Sequence, residues 1–309
     1  MSRIFEALSR SESERLGTTL DLDSAAELLQ TAEMQPPAGI REIAPLTVPT
    51  VELPDTLKVP ESQRLEEVQG FKKLSLTPLP GSRVVCLTQE GSLGAEKLRL
   101  LALRLKNQRE KRKLRKVLIT STMPSEGKSL MAANLAVTLS RSKHLKTLLI
   151  ECDLRRPTLA QVLLGRPIPG LSEYLQGTLP LSQVIFETEP AGFFFLPAGF
   201  PPVNPLELMQ SPKFQTLIEQ MNSTFDWILI DSPPVLPLAD TSLLMRMSDG
   251  VLMVAREGVT EKKPLQKAVE AIDPSLLLGI VLNSCTNVDH ENYYQSYKAG
   301  SSASAPNEG

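Results

Sequence analysis

A doubly wound α/β fold, with a mostly parallel sheet and helices on both faces, is what this 309-residue sequence predicts, on three observations. Six short runs, "KVLITS", "TLLIEC", "FFFLPA", "WILIDS", "GVLMVA" and "LGIVLN", are almost wholly apolar. Strands without polar alternation are buried on both faces, as parallel strands are. Stretches of helical periodicity separate them, as in "KSLMAANLAVTLSRS" and "PKFQTLIEQMNS", and strands alternating with helices are the signature of a parallel sheet. The first run also passes through a tight Gly127-Lys128-Ser129 turn into a helical pattern. In such sheets ligands sit beyond the C-terminal strand ends, so the loops that follow strands are the places to search.

Taken in order, residues 1–34 carry two weak helical patterns, "IFEALSRSESERL" and "DSAAELLQTAEM". Residues 35–82 are interrupted by proline every few positions ("QPPAG", "APLTVPTVELP", "LTPLPG"). Proline removes backbone donors and blocks helix propagation, so this part reads as a disordered linker. A helix is expected after Ser92 in "LGAEKLRLLALRLKNQ", opening an α/β domain over 83–290. Residues 291–309 are too polar and too rich in Gly and Ser to bury anything, and read as a disordered tail holding Tyr293, Tyr294 and Tyr297.

Composition narrows the function. No run approaches 18 apolar residues, and "MSRIFEALSR" lacks the apolar core of a signal peptide, so the chain is expected in the cytoplasm. Cys86, Cys152 and Cys285 have no metal or disulfide spacing, and His144 and His290 are the only histidines. A histidine-built metal site or a Ser-His-Asp hydrolase is therefore excluded. "RLKNQREKRKLRK" (Arg104 to Lys116) carries eight basic residues against one acidic. Two readings stay open: a solvated helix face, or a docking surface for an acidic partner, a neighbouring subunit or anionic lipid. No aromatic is interleaved for base stacking, which argues against nucleic acid.

The stretch "VLITSTMPSEGKSLMAANLAVTLS" has the strand–loop–helix order of a phosphate-binding loop. Backbone N–H groups and a helix N-terminus would converge on phosphate, with Lys128 as a point charge and the Ser129 hydroxyl as a magnesium ligand. The loop's usual first glycine is replaced by Thr122. Pro124, Ser125, Glu126, Gly127, Lys128, Ser129 and Leu130 form the expected nucleotide cradle. "TLLIECDLRRP" places Glu151 and Asp153 at one strand end as alternate residues sharing one side, and "WILIDSPP" ends another strand at Asp231. Carboxylates gathered there suit a magnesium nucleotide, with Ser129, Asp153 and Asp231 as the metal group.

The order "SEGKS", "LLIECDLRRP", "ILIDSPP" resembles the Walker A, A′ and B motifs of the bacterial tyrosine kinases, P-loop enzymes of capsule and exopolysaccharide assembly. "LPAGFPPVNPLELMQSPKF", "VLPLADTSLLMRMSDGVLMVAREGVT" and "GIVLN" extend the resemblance over about residues 87–297. It implies a P-loop NTPase fold of the MinD/ParA kind, ATP and Mg2+ as cofactors, and autophosphorylation on tyrosine. Lys128 would neutralise the β- and γ-phosphates, Ser129 ligate magnesium and Asp231 hold it through water. Asp153 would orient or deprotonate the tyrosine hydroxyl, Glu151 would lie near the metal with Arg155 in the catalytic group, and Asn283 by the adenine. The acceptors would be Tyr293, Tyr294 and Tyr297. Partners implied are a membrane chain-length-determinant (Wzz-type) activator, which would tether the chain to the inner membrane, and a cognate tyrosine phosphatase.

Three departures from the family pattern stand out. Glu151 replaces the usual aspartate, which should be accepted back at this position. In the subunit-contact motif E-x-x-R-x-x-R, Glu96 and Arg99 are kept for self-association, but Ala102 replaces the last arginine. The tyrosine tail is short. Two other readings remain at this point: an ATPase switch of the ParA/MinD type, and a non-catalytic nucleotide-binding scaffold. The first usually has an early lysine in the phosphate loop, and "STMPSE" (121–126) has none.

Overall fold

The protein's structure, a computed structural model, describes residues 71–78, 81–142, 144–236 and 239–285. The helical patterns of 1–34, most of the linker and the tyrosine tail lie outside these residues. The described chain begins with strand β1 (Lys72–Ser75), a short helix α1 (Val85–Thr88) and the long α2 (Leu93–Lys111). There follow β2 (Lys116–Ser121), α3 (Lys128–Ser140), β3 (Thr147–Glu151), and two short helices, α4 (Leu159–Leu164) and α5 (Leu171–Gln176). β4 (Phe186–Glu189) and β5 (Phe194–Leu196) precede α6 (Pro205–Gln210), α7 (Pro212–Thr224) and β6 (Trp227–Asp231). The series closes with α8 (Ala239–Arg246), β7 (Gly250–Arg256), α9 (Lys262–Glu270) and β8 (Leu277–Asn283).

The strands form one sheet in the order β1-β4-β5-β3-β6-β2-β7-β8, parallel throughout except for the β4–β5 pair. All six strands read from apolar runs are present. Two were missed. β4 ("FETE") carries alternating glutamates, and β1 ("KKLS") is a short charged edge strand lying inside the stretch expected to be linker. Charge and shortness blunt an edge against unwanted pairing, and they also hide the strand from a hydrophobicity search. The ordered fold thus starts before residue 83.

Alternation along each strand feeds two cores. Val117, Ile119, Leu149, Trp227, Leu229, Leu252 and Val254 face one layer, packed against α2 and α3. Leu118, Leu148, Ile150, Ile228, Ile230, Val251 and Met253 face the other, against α5 to α9. α3 is buried nearly all round, and alanines at 132, 133 and 136 let it lie close to the sheet. α2 starts where expected, with the Ser92 hydroxyl accepting from the Ala95 N–H at 3.2 Å. Its inward stripe includes Leu98, Ala102 and Leu105. Position 102 therefore faces the core, while Glu96 and Arg99 pair with each other along the helix.

The basic run is neither a bare solvated face nor one continuous docking patch. Arg109 pairs with Asp226 and stacks over Trp227, and Lys116 pairs with Asp249. Arg112 donates to the Ser275 carbonyl and Arg115 to the Asn222 carbonyl. These contacts tie the end of α2 to the loops entering β6, β7 and β8.

One close approach fixes the second face. Gly170, just before α5, sits so near the chain leaving β5 that a Cβ would come 2.0 Å from the Pro197 carbonyl oxygen. Gly170→Ala should force the two segments apart and cost about 1–3 kcal/mol, as overpacking does. The thermal midpoint should fall by several degrees in differential scanning calorimetry; an unchanged midpoint would mean that this contact yields freely.

Candidate active site

The sheet order places β2 between β6 and β7, so the loop leaving β2 emerges beside the end of β6. Thr122, where the glycine was missing, is buried and does not have a positive φ; Ser125 does, at 68°, followed by Gly127 at 99°. The strained turn therefore lies three residues later than the usual first glycine, and nothing at 122 requires one. Gly127 cannot be replaced as easily, because a Cβ there would lie 2.2 Å from the Asn283 side-chain nitrogen.

Glu126 holds the loop's shape. Its Oε2 accepts the Thr122 and Met123 N–H groups at 2.7 and 3.0 Å, and its Oε1 accepts the Thr260 hydroxyl at 2.5 Å. Asn283 Nδ2 donates to the Glu126 carbonyl at 3.0 Å, and Arg256 donates to the Ser125 carbonyl. Thus β8 and the β7–α9 loop brace the turn from outside. Thr260 gives no sequence signal, because its partner lies 134 residues away.

Lys128 is the centre of the site. Its ammonium donates to Asp153 Oδ2 at 2.9 Å and Ser129 Oγ at 3.2 Å, and lies 3.7 Å from Asp231 Oδ1. Burial works against its charge, but Asp231 and Asp153 outweigh burial and raise its pKa above the usual lysine value. Asp231 is fully buried, and neither of its carboxylate oxygens makes a hydrogen bond among the described residues. Burial pushes its carboxyl up to about 6, against the pull of Lys128 and Ser129. Two oxygens buried without donors, beside a hydroxyl and a second carboxylate, fit a hard divalent cation. Thr158 donates to that hydroxyl, Ser129 Oγ, at 3.1 Å.

Glu151 and Arg155 do not join this cluster. β3 ends at Glu151, so alternation no longer governs Asp153, which turns to Lys128 and to the Arg156 N–H instead. Glu151 Oε1 accepts the Thr158 and Leu159 N–H groups at 2.5 and 2.6 Å, and Oε2 accepts the Ala198 N–H at 3.2 Å. Its carboxylate holds the start of α4 and the chain beyond β5, where the extra methylene over aspartate supplies the reach. Arg155 forms a two-bond pair with the buried Asp240 at 2.6 and 3.2 Å. Leu130 and Asn283 flank the loop, and Pro124 lies within it. Tyr293, Tyr294 and Tyr297 fall outside the described residues.

Glu151 and Asp231 are register partners on adjacent strands. Burial and then Asp231 push the Glu151 carboxyl up to about 7 from 4.5. Both acids bind protons more tightly folded than unfolded. Their contribution to stability is therefore complete below the unfolded values and is lost as pH rises through about 6 and 7. The thermal midpoint should show this decline between pH 4.5 and 7, and Glu151→Gln should flatten part of it. An identical slope in the variant would remove Glu151 from the effect. Glu151→Asp, which the sequence alone suggested would be accepted, should instead cost about 1–3 kcal/mol by leaving buried amides unpaired.

No protein-family profile matches the chain. Individual relatives do. The tyrosine-protein kinase YwqD of Bacillus subtilis is 33% identical over 212 residues, 68% of this chain and 89% of the relative. The tyrosine-protein kinase CpsD of Streptococcus pneumoniae serotype 4 is 35% identical over 174 residues, 55% of this chain and 76% of the relative. Among solved structures, the chimerical protein CapA2B2 aligns with TM-score 0.62 at 29% identity, over 70% of this chain and 93% of that one. The BceF tyrosine kinase domain aligns with TM-score 0.59 at 31% identity, over 64% and 81%. With a buried lysine, hydroxyl and carboxylate pair at the end of a P-loop sheet, and relatives of this coverage, the chain belongs to the bacterial tyrosine-protein kinase family.

Proposed function

We propose that this chain is an ATP- and magnesium-dependent protein-tyrosine autokinase that regulates polysaccharide synthesis or export. The observation that supports this reading best is Asp231, whose two buried oxygens lack donors beside Lys128 and Ser129. Ser129 and Asp231, with Asp153 close by, would hold magnesium, which neutralises phosphate charge when bound. Lys128 rests on Asp153 at 2.9 Å; by exchanging that carboxylate for a phosphate oxygen it frees Asp153 for an incoming hydroxyl. Asp153 then takes the tyrosine proton while a bond forms from the phenolic oxygen to the γ-phosphorus and the β–γ bridging bond breaks, leaving ADP. Positioning and charge neutralisation carry most of such a transfer. The loop's N–H groups from Gly127 onward and the N-terminus of α3 cradle the phosphates, and Leu130 and Asn283 flank the base.

Glu151 and Arg155 take supporting roles, holding α4 and α8 behind the site. Tyr293, Tyr294 and Tyr297 are the acceptors, offered to a neighbouring subunit's site. Self-association uses the exposed face of α2 around Glu96 and Arg99. A membrane chain-length-determinant protein activates the kinase and holds it at the inner membrane, and a tyrosine phosphatase resets it. Among the described residues no helix is long and apolar enough to cross a membrane.

An anti-phosphotyrosine blot of the full chain with ATP and magnesium tests this reading. Lys128→Ala should abolish both the signal and the binding of a labelled ATP analogue; retained affinity would make the loop structural. Asp153→Asn should keep most nucleotide affinity and lose about 10²–10⁴ in rate, the usual cost of a general base. A phenol of pKa about 10 places the loss toward the lower end. Full activity in that variant would remove Asp153 from proton transfer.

A further inference from the structure

A groove of about 650 Å3 lies between α2 and β8, and the proposed reaction leaves most of it unused. One wall is β8, the last strand of the sheet, whose outer edge pairs with no strand among the described residues. Free edges are normally blunted by charge or proline. Here the strand contributes Leu278 and Val281, partly buried against the core layer shared with α2, and α2 presents Leu100, 58% exposed. Arg83, Lys97 and Arg104 also line the groove. Unlike Arg109 and Lys116, these three exposed cations have no ion-pair partner among the described residues.

Apolar walls under unpaired cations suit a ligand with an aromatic body and a strongly anionic tip, which is the chemistry of phosphotyrosine. Continuity of the chain names the source. Cys285 lines one end of the groove, and the sequence continues from it through "TNVDHENYYQSY". The eight residues from Cys285 to Tyr293 span up to about 26–29 Å. Lys97 to Arg104 on α2 covers only about 10 Å. Residues 286–297 hold Asp289 and Glu291 but no Lys or Arg, and each phosphate adds about −1.5 to −2 charges.

We propose that the α2–β8 groove is the docking site for the chain's own segment 286–297 once its tyrosines carry phosphate. The phosphates pair with Arg83, Lys97 and Arg104 while the rings cover Leu100, Leu278 and Val281. A tail held on its own subunit is withdrawn from a neighbour's transfer site, so the groove stores the product of autophosphorylation. The origin of the phosphate rests on the autokinase reading; the groove's affinity for it does not.

Synthetic peptides spanning residues 286–299, with and without phosphate on the three tyrosines, test this directly. They are titrated by fluorescence anisotropy into the full chain carrying Tyr293→Phe, Tyr294→Phe and Tyr297→Phe, so that its own tail cannot be phosphorylated on tyrosine. The phosphopeptide should bind saturably, about tenfold or more tighter than the unphosphorylated one. Lys97→Glu with Arg104→Glu should weaken it by about tenfold or more, and Leu100→Asp, which changes an apolar contact instead of a charge, is an independent second variant. All three positions are exposed, and melting curves verify that the variants fold. Equal affinity for the two peptides would overturn the proposal. So would full affinity in both groove variants. Because the phosphates are added chemically, a chain that binds the peptide yet never labels itself with ATP refutes the autokinase reading alone.

Discussion

The ammonium of Lys128 is the charge around which the site is arranged. Three carboxylates, on Glu151, Asp153 and Asp231, gather at neighbouring strand ends, and one lysine is buried among them. Without that cation, the 3.7 Å approach of Asp231 and the Asp153 contact would leave like charges crowded in a region shielded from water. The fold reduces the crowding by a division of labour. Backbone N–H groups take Glu151, the ammonium and the Arg156 N–H take Asp153, and Asp231 alone keeps both oxygens without a hydrogen bond. Buried carboxylates that lack donors are costly, and here the cost falls at the place where a cation can offset it.

Much of this was legible in the sequence. Apolar runs buried on both faces announce themselves, and the spacing of "SEGKS", "CDLRRP" and "LIDSPP" names Lys128, Ser129, Asp153 and Asp231 as neighbours. What stayed hidden was long-range or locally disguised. Nothing near Glu126 shows that its side chain folds back on the Thr122 and Met123 N–H groups or that Thr260 completes the brace. Glu151 and Asp153 look like one pair because alternation holds inside a strand, yet β3 ends between them and their side chains part. Arg155 sits in a motif rich in charged groups, but its partner Asp240 belongs to a helix 85 residues away.

The basic run shows the same limit from another side. A cluster of like charges in sequence suggests a surface for an external partner. In the fold, Arg109, Arg112, Arg115 and Lys116 each find a separate anchor on loops that enter the sheet. Partly exposed contacts of this kind contribute little singly, but together they tie the connection from α2 into β2 to the neighbouring segments. Arg104 lies earlier on α2, exposed and without an ion pair among the described residues.

The contact between Asn283 and Gly127 joins the outermost strand to the phosphate loop, with no room for even a methyl group between them. β8 is also the least buried of the central and outer parallel strands that follow β2. The rim of the sheet is therefore tied directly to the turn that opens α3. Through that bond Asn283 fixes the Glu126 carbonyl in the turn before Lys128.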